Sequence, residues 1–309
     1  MLLYIVGLIV LLYVYLWFRE LGRKFVFITG CDTGFGNLLK GEVELKKCCS
    51  DKLTTLHLDV TNNYSIKKAA DTIKTLVGEK GLWAVVNNAG ISFPTAPNDL
   101  LEIEDFKQMF NVNLIGVVAV TPSVLPLIKK AKGRVVNVAS VFGRISTLGG
   151  AYCITKYGVE AFNDSLRRDM MHFGVNGSIT EPGFFKTQVT DLSLTEDDLK
   201  KWWSNLPTEV RRAYGDSYLQ DYIKLQEFSM KIVASSDLSK VTSCMQHALS
   251  ARYPQTCYSL LDSPLVPAYD FTLQMVVESK NAMKCIIFCE KVTYNAMKIH
   301  FMHCCIFHK

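Results

Sequence analysis

Tyr152-Cys-Ile-Thr-Lys156 sets a phenol and an ammonium four residues apart. On a helix the two groups share one face. A free tyrosine ionises near a pKa of about 10, and a nearby cation is what makes it a usable base close to neutrality. The chain holds 13 tyrosines, so such a pair can arise by chance and the spacing alone decides little. Its surroundings carry more weight. Ser140 ends the run GRVVNVAS just upstream, and Asn87-Asn88-Ala89-Gly90 ends the run WAVVNNAG. Asn113 stands in NVNLIG, and Pro182-Gly183 closes VNGSITEPG shortly before Thr187. Near the start, TGCDTGFG (29–36) places Thr29, Gly30, Gly34, Phe35 and Gly36 directly after an apolar run. Glycines there let the backbone turn sharply and approach a pyrophosphate, and the N-terminus of a following helix adds free N–H groups and partial positive charge.

Side chains of this kind need rigid elements to hold them together. The apolar pattern predicts strands at KFVFITG, LTTLHLDV, WAVVNNAG, GRVVNVAS and VNGSITEPG. Between them it predicts helices at 37–47, about 66–77, about 101–130 and 151–173, the third tolerating Pro122 and Pro126. Short apolar strands alternating with helices imply a parallel sheet covered on both faces, an α/β Rossmann-type doubly wound fold. Ligands of such sheets sit beyond the carboxyl ends of the strands, where the residues above fall.

One interval is too short. An acidic residue about 20 positions past the glycine turn normally ends the second strand and grips a ribose. Here LTTLHLDV, ending in Asp59-Val60, arrives almost at once.

Composition limits the remaining options. At 309 residues, 49% hydrophobic and 20% charged, the chain can bury one large core. The net charge is +5, but Lys and Arg are scattered in pairs among acids, so no basic stripe is offered and no nucleic-acid partner is expected. Residues 1–18 carry no charged side chain and are followed by Arg19, Glu20, Arg23 and Lys24. About 18 apolar residues suffice to cross a bilayer core, and basic residues only after the span favour a cytosolic domain. A single-pass anchor in contact with membrane lipid is therefore expected, rather than a cleaved signal peptide. Ten cysteines without a small-domain framework fit a reducing compartment. Sequons at Asn63, Asn163 and Asn176 weigh against that only weakly. Cys285, Cys289, His300 and His303 approximate a zinc spacing but lack the surrounding finger pattern, so no metal is expected.

Taken in order, Asp59, Asn87 to Gly90, Asn113, Ser140, Tyr152, Lys156, Pro182-Gly183 and Thr187 resemble the short-chain dehydrogenase/reductase family. FVFITGCDTGFGNLL, GLWAVVNNAGIS, GGAYCITKYGVEAFNDSLRRDM and EPGFFKT resemble its membrane-bound retinol and hydroxysteroid dehydrogenase branch, and the likeness extends to about residue 258. The resemblance implies an NAD(P)-dependent oxidoreductase of the endoplasmic reticulum membrane that interconverts an apolar alcohol, a retinoid or steroid, and its carbonyl. NAD is slightly favoured over NADP, and a homodimer is an open option.

Carried residue by residue, the resemblance implies that Tyr152 moves the substrate proton and Lys156 lowers its pKa while holding the nicotinamide ribose. Ser140 bonds the substrate oxygen, and Asn113 orders a water relay. Asp59 and Val60 border the adenine, Asn87, Ala89 and Gly90 line the adenosine side, and Pro182, Gly183 and Thr187 neighbour the carboxamide. Ala139 stands where the branch usually shows a first serine. The catalytic domain is expected over 24–258, with a substrate lid at about 186–235 that includes Trp202 and Trp203. By the same comparison LTTLHLDV is the third strand, and roughly 20 residues holding the second are missing. The tail at 259–309 does not look like the family's C-terminal segment. Two rivals stay open: a catalytically impaired variant of such an enzyme, and a membrane-tethered protein that binds a dinucleotide or lipid without turnover.

Overall fold

A computed structural model describes residues 24–31, 34–35, 54–92, 96–146, 150–187, 192–215 and 217–260. The expected anchor, the helix at 37–47, Gly36 and the zinc-like tail lie outside the described residues.

Among the described residues one parallel sheet runs in the order β1 (Val26–Ile28), β2 (Ala84–Asn87), β3 (Arg134–Val138), β4 (Asn176–Pro182) and β5 (Cys257–Leu260). Every residue of β2 and β3 is buried, and alternate side chains enter different cores. Val85 and Val135 pack on one face with Ile66, Ile73, Val120, Val124 and Ile128. Ala84, Val86, Val136 and Val138 pack on the other with Val241, Met245 and Ala248. A strand pattern with no polar face is what burial on both sides requires.

The first face is covered by α1 (Asn63–Val77), α3 (Gly116–Ala131) and α4 (Ala151–Met170), the second by α8 (Ser239–Ser250). The first helix begins earlier than the apolar pattern predicts because Asn62 caps it, its side-chain oxygen accepting from Tyr64 N at 2.9 Å and Ser65 N at 3.2 Å. The helix expected at 101–130 is α2 (Ile103–Phe110), a π-helical turn at Asn111–Ile115, and α3. This stretch is long and apolar enough to span a membrane, yet Val117, Val120, Val124 and Ile128 point into the protein core.

LTTLHLDV does not form the expected strand. Residues 54–59 join no ladder, and Leu56, Leu58 and Val60 instead pack as half-buried side chains on the first core. A strand at this place needs a neighbour to bond, and β1 pairs with β2 alone among the described residues. Among the described residues the outer edge of β1 is unpaired, and the strand is half-buried.

Three helices, α5 (Leu192–Asn205), α6 (Thr208–Tyr214) and α7 (Tyr218–Val233), form an excursion between β4 and α8. It leaves and returns at one point: Lys186 N donates to Ser235 O and Ser235 N to Phe184 O, both at 2.9 Å. Trp203 stacks on Tyr218 with ring centres 5.8 Å apart, and Tyr218 meets Tyr214 at 4.5 Å. Tyr214 OH donates to Asp99 Oδ2 at 2.5 Å, tying the excursion to the loop after β2.

Candidate active site

The ends of β1 and β2 are bonded into one unit. Thr29 Oγ1 accepts from Asn88 N at 3.1 Å and Ala89 N at 3.0 Å, while Asn88 Nδ2 donates to Thr29 O at 3.1 Å and Gly30 O at 2.9 Å. Gly30 has φ +64°, and a Cβ there would lie 2.7 Å from Ala89 Cα. Glycine is required by conformation and by space. Gly34 and Phe35 are helical, and both reach the segment after β4. A Cβ on Gly34 would meet Thr187 Cγ2 at 3.8 Å, and Phe35 sets its ring edge-to-face with Phe185, centres 5.7 Å apart. The three strand ends thus converge.

Val60, Asn87 and Ala89 line a narrow interior gap with Thr29, Val112 and Gly116, too small to admit a water molecule. Asn87 Nδ2 donates to Thr121 Oγ1 and Asn137 Oδ1, both at 2.8 Å, and Asn137 Nδ2 donates onward to Asn163 Oδ1 at 3.0 Å. Asn87 Oδ1 is buried and has no partner among the described residues. The same chain of amides settles one sequon: Asn163 is buried and bonded, and no glycan fits there. Asp59 is exposed. Hydrogen bonds from the Thr61 hydroxyl at 2.7 Å and the Thr61 N–H at 2.9 Å hold its carboxyl below the usual range.

The π-helical turn exists where Asn113 is drawn inward. Asn113 Nδ2 donates to Ile91 O at 2.7 Å and Ile91 N returns a bond to Asn113 Oδ1 at 2.8 Å, so one side chain satisfies a backbone pair beyond Gly90. Such bulges often mark functional positions in helices. Asn113 Nδ2 also reaches Thr155 Oγ1 at 3.3 Å, and Thr155 Oγ1 donates to Tyr152 O at 2.8 Å. Thr155 and Asn88 are contributors that the sequence reading passed over, although both lie inside motifs it singled out.

Tyr152 and Lys156 stand one turn apart on α4. Tyr152 is bonded to Ser140. Ser140 accepts from Phe142 N at 3.2 Å, capping the turn at Val141–Gly143, and donates to Pro182 O at 3.4 Å. Lys156 Nζ donates to Val138 O at 3.0 Å, lies 5.5 Å from the centre of the Tyr152 ring, and would stand 3.8 Å from a Cβ on Gly90. Gly183 N donates to Leu260 O at 2.7 Å, fixing the turn after Pro182.

The electrostatics differ from expectation. Burial pushes the Tyr152 phenol up to about 12, against a lowering hydrogen bond from Ser140. Burial also pushes the Lys156 ammonium down to about 8, against the opposing pull of Glu160. Burial is the largest influence on the phenol, and the Lys156 cation is not among the others. The resting group is a neutral phenol able to donate a proton, beside an ammonium close to losing one.

Residues 31–198 match the family described as short chain dehydrogenase. This chain belongs to the short-chain dehydrogenase family. The match includes Ser140, Tyr152, Lys156 and Pro182-Gly183. Rat retinol dehydrogenase 7 is 49% identical over 258 residues, covering 78% of this chain and 81% of that protein. Rat 17-beta-hydroxysteroid dehydrogenase type 6 is 46% identical over 280 residues, covering 83% and 88%. A Streptomyces avermitilis short-chain dehydrogenase superposes with a TM-score of 0.62 at 20% identity, covering 89% of this chain and 99% of that one. The chain is accordingly an NAD(P)-dependent oxidoreductase of alcohol and carbonyl groups. Against rat retinol dehydrogenase 7, the 78% of 309 residues that align amount to about 241, some 17 fewer than the 258 aligned positions. The short-chain dehydrogenase described here therefore lacks residues that its relative carries.

Proposed function

We propose that this dehydrogenase oxidises or reduces an apolar substrate, a retinoid alcohol or a hydroxysteroid, through Tyr152, with NAD as the favoured dinucleotide. The observation that carries the reading is the joint placement of Ser140, Tyr152, Lys156 and Asn113 at the carboxyl ends of β2 and β3, in a chain close to retinol and 17-beta-hydroxysteroid dehydrogenases. Ser140 holds the substrate oxygen against the phenol. Tyr152 gives its proton to a carbonyl oxygen or takes one from an alcohol, and Lys156 with Asn113 carries charge and proton behind it.

The residues present fit a dinucleotide. The Gly30 turn has no room for a Cβ, Gly90 opens toward Asn113 and Lys156, and Asn87 Oδ1 awaits a donor. Thr29, Gly30, Gly34, Phe35 and Gly36 would hold the pyrophosphate, and Asp59, Val60, Asn87, Ala89 and Gly90 the adenosine. Tyr152, Lys156, Pro182, Gly183 and Thr187 would hold the nicotinamide end. When bound, the oxidised nicotinamide accepts the hydride and contributes a positive charge beside the phenol. The excursion at about 186–235 serves as a lid over the apolar substrate, and residues 1–18 tether the enzyme to the endoplasmic reticulum with its catalytic domain in the cytosol.

The test is turnover by the full chain in lipid nanodiscs, with retinol and androstanediol as alcohols and each dinucleotide in turn. Turnover that requires Tyr152 supports the reading. A chain that binds dinucleotide without turning over either alcohol supports an impaired variant instead. Among the described residues β1 is bonded on one edge only, which favours that second reading.

A further inference from the structure

Behind the proposed relay lies a buried charge cluster with no part in the chemistry above. Arg144 Nη2 stands 2.6 Å from Glu160 Oε2 and 2.9 Å from Glu181 Oε1, and its Nε donates to Glu181 Oε1 at 2.9 Å. Cys257 Sγ donates to the same Glu181 oxygen at 3.1 Å. Glu160 and Glu181 are 6% and 1% exposed, while Arg144 keeps a partly open side. Two carboxylates face one guanidinium, so the cluster lowers its charge by keeping a proton. Burial and the neighbouring Glu181 hold Glu160 well above the usual carboxylate range, against the lowering pull of Arg144. The other titratable groups facing Glu160 are Lys156 and Asp164 on its own helix and Cys257 on β5.

The places of the three residues in the chain are what matter. Arg144 ends the turn that Ser140 caps. Glu160 follows Lys156 by one turn of α4. Glu181 directly precedes Pro182-Gly183 on β4. Three of the segments that carry the site, those of Ser140, Tyr152–Lys156 and Pro182, therefore contribute one member each. The fit is tight: a Cβ on Gly143 would lie 3.0 Å from both Glu160 Cγ and Lys156 O, so the Ser140 turn rests directly on the Lys156 helix. A buried ion cluster is a poor source of stability, since apolar replacements of similar volume often do as well. Its directional, charge-assisted bonds do define spacing.

We propose that Arg144, Glu160 and Glu181 are positioning residues that lock the Ser140 turn, the Tyr152–Lys156 helix and the Pro182 strand end in register for proton transfer. This rests on the site reading given above. It implies that a neutral amide in place of Glu160 preserves the lock, because it still accepts from Arg144 and donates toward Glu181, whereas an apolar side chain releases it.

The experiment compares the full chain with Glu160→Gln, Glu160→Leu, Arg144→Lys and Tyr152→Phe, reading kcat, KM, dinucleotide Kd and melting temperature. Glu160→Leu is expected to lower kcat at least tenfold, and Glu160→Gln to restore it to within threefold of the parent. Arg144→Lys keeps the charge and the fold but loses the fork, and kcat is expected to fall at least tenfold with little change in melting temperature. Parent-like kcat in a folded Glu160→Leu or Arg144→Lys overturns the proposal, as does a Gln variant no better than the Leu variant. If Glu160→Leu fails to fold, Arg144→Lys decides alone. Full activity in Tyr152→Phe, or none in the parent, overturns the site reading and this inference with it. A dead Tyr152→Phe beside fully active cluster variants overturns this inference only.

Discussion

Tyr152 and Lys156 are placed by burial as much as by each other. Tyr152→Phe is expected to abolish turnover while dinucleotide affinity stays within a few fold, since the phenol moves the proton but supplies little of the binding. Lys156→Ala is expected to lose both. The lysine also predicts a stability signature. Its folded pKa is depressed from 10.5 to about 8, so the unfolded chain binds more protons between those values and stability rises with pH across that window. Relative to Lys156→Met, the parent should gain about 2 kcal/mol between pH 7.5 and 10. Urea unfolding at the two pH values measures it, and a difference that does not move with pH would contradict the assigned burial of the ammonium.

Turns and helix irregularities are the elements that bring the strand ends together. Gly30→Ala forces a left-handed backbone on a residue whose Cβ overlaps Ala89 Cα. A loss of about 1–3 kcal/mol in stability is expected, with dinucleotide binding weakened at the same time. Melting curves paired with calorimetric titration read both effects, and an unchanged variant would mean that the turn can be rebuilt. On the proposed lid, Trp203→Ala removes ring contacts to Tyr214 and Tyr218 without touching α4. Its effect should appear in KM for the apolar alcohol, with kcat changed far less. A fall confined to kcat would place the helical excursion in the chemical step.

At the level of the whole molecule, the predictions concern the outer edge of β1, unpaired among the described residues, and the proposed anchor. Insertion of about 20 family-like residues after Leu39 supplies a strand for that edge and a group for the ribose. Dinucleotide affinity should rise more than tenfold, about 1.4 kcal/mol, together with the melting temperature. Equal values for both chains would show that the packed 54–60 segment already compensates. Removal of residues 1–18 should release the protein from membranes. Carbonate-resistant attachment of the shortened chain would move the anchor elsewhere, and protease protection in sealed vesicles tests which side the catalytic domain faces.

Local order is what the sequence determined by itself. The shared face of Tyr152 and Lys156 follows from helical spacing, and the run WAVVNNAG is a strand because its unbroken apolar pattern suits burial on both sides. Ser140, Asn113 and Pro182 were singled out by their order along the chain, and their proposed roles come from the resemblance to the short-chain dehydrogenase family. Tertiary structure alone decided three matters. LTTLHLDV has a strand's composition but no strand to bond, and hydrogen-bond partners on a sheet come from elsewhere in the chain. The phenol of Tyr152 is governed chiefly by desolvation, which depends on everything packed around it. Arg144, Glu160 and Glu181 read as ordinary solvated charges on three separate segments, and they meet only because parallel strands and their crossover helix bring those segments to one point.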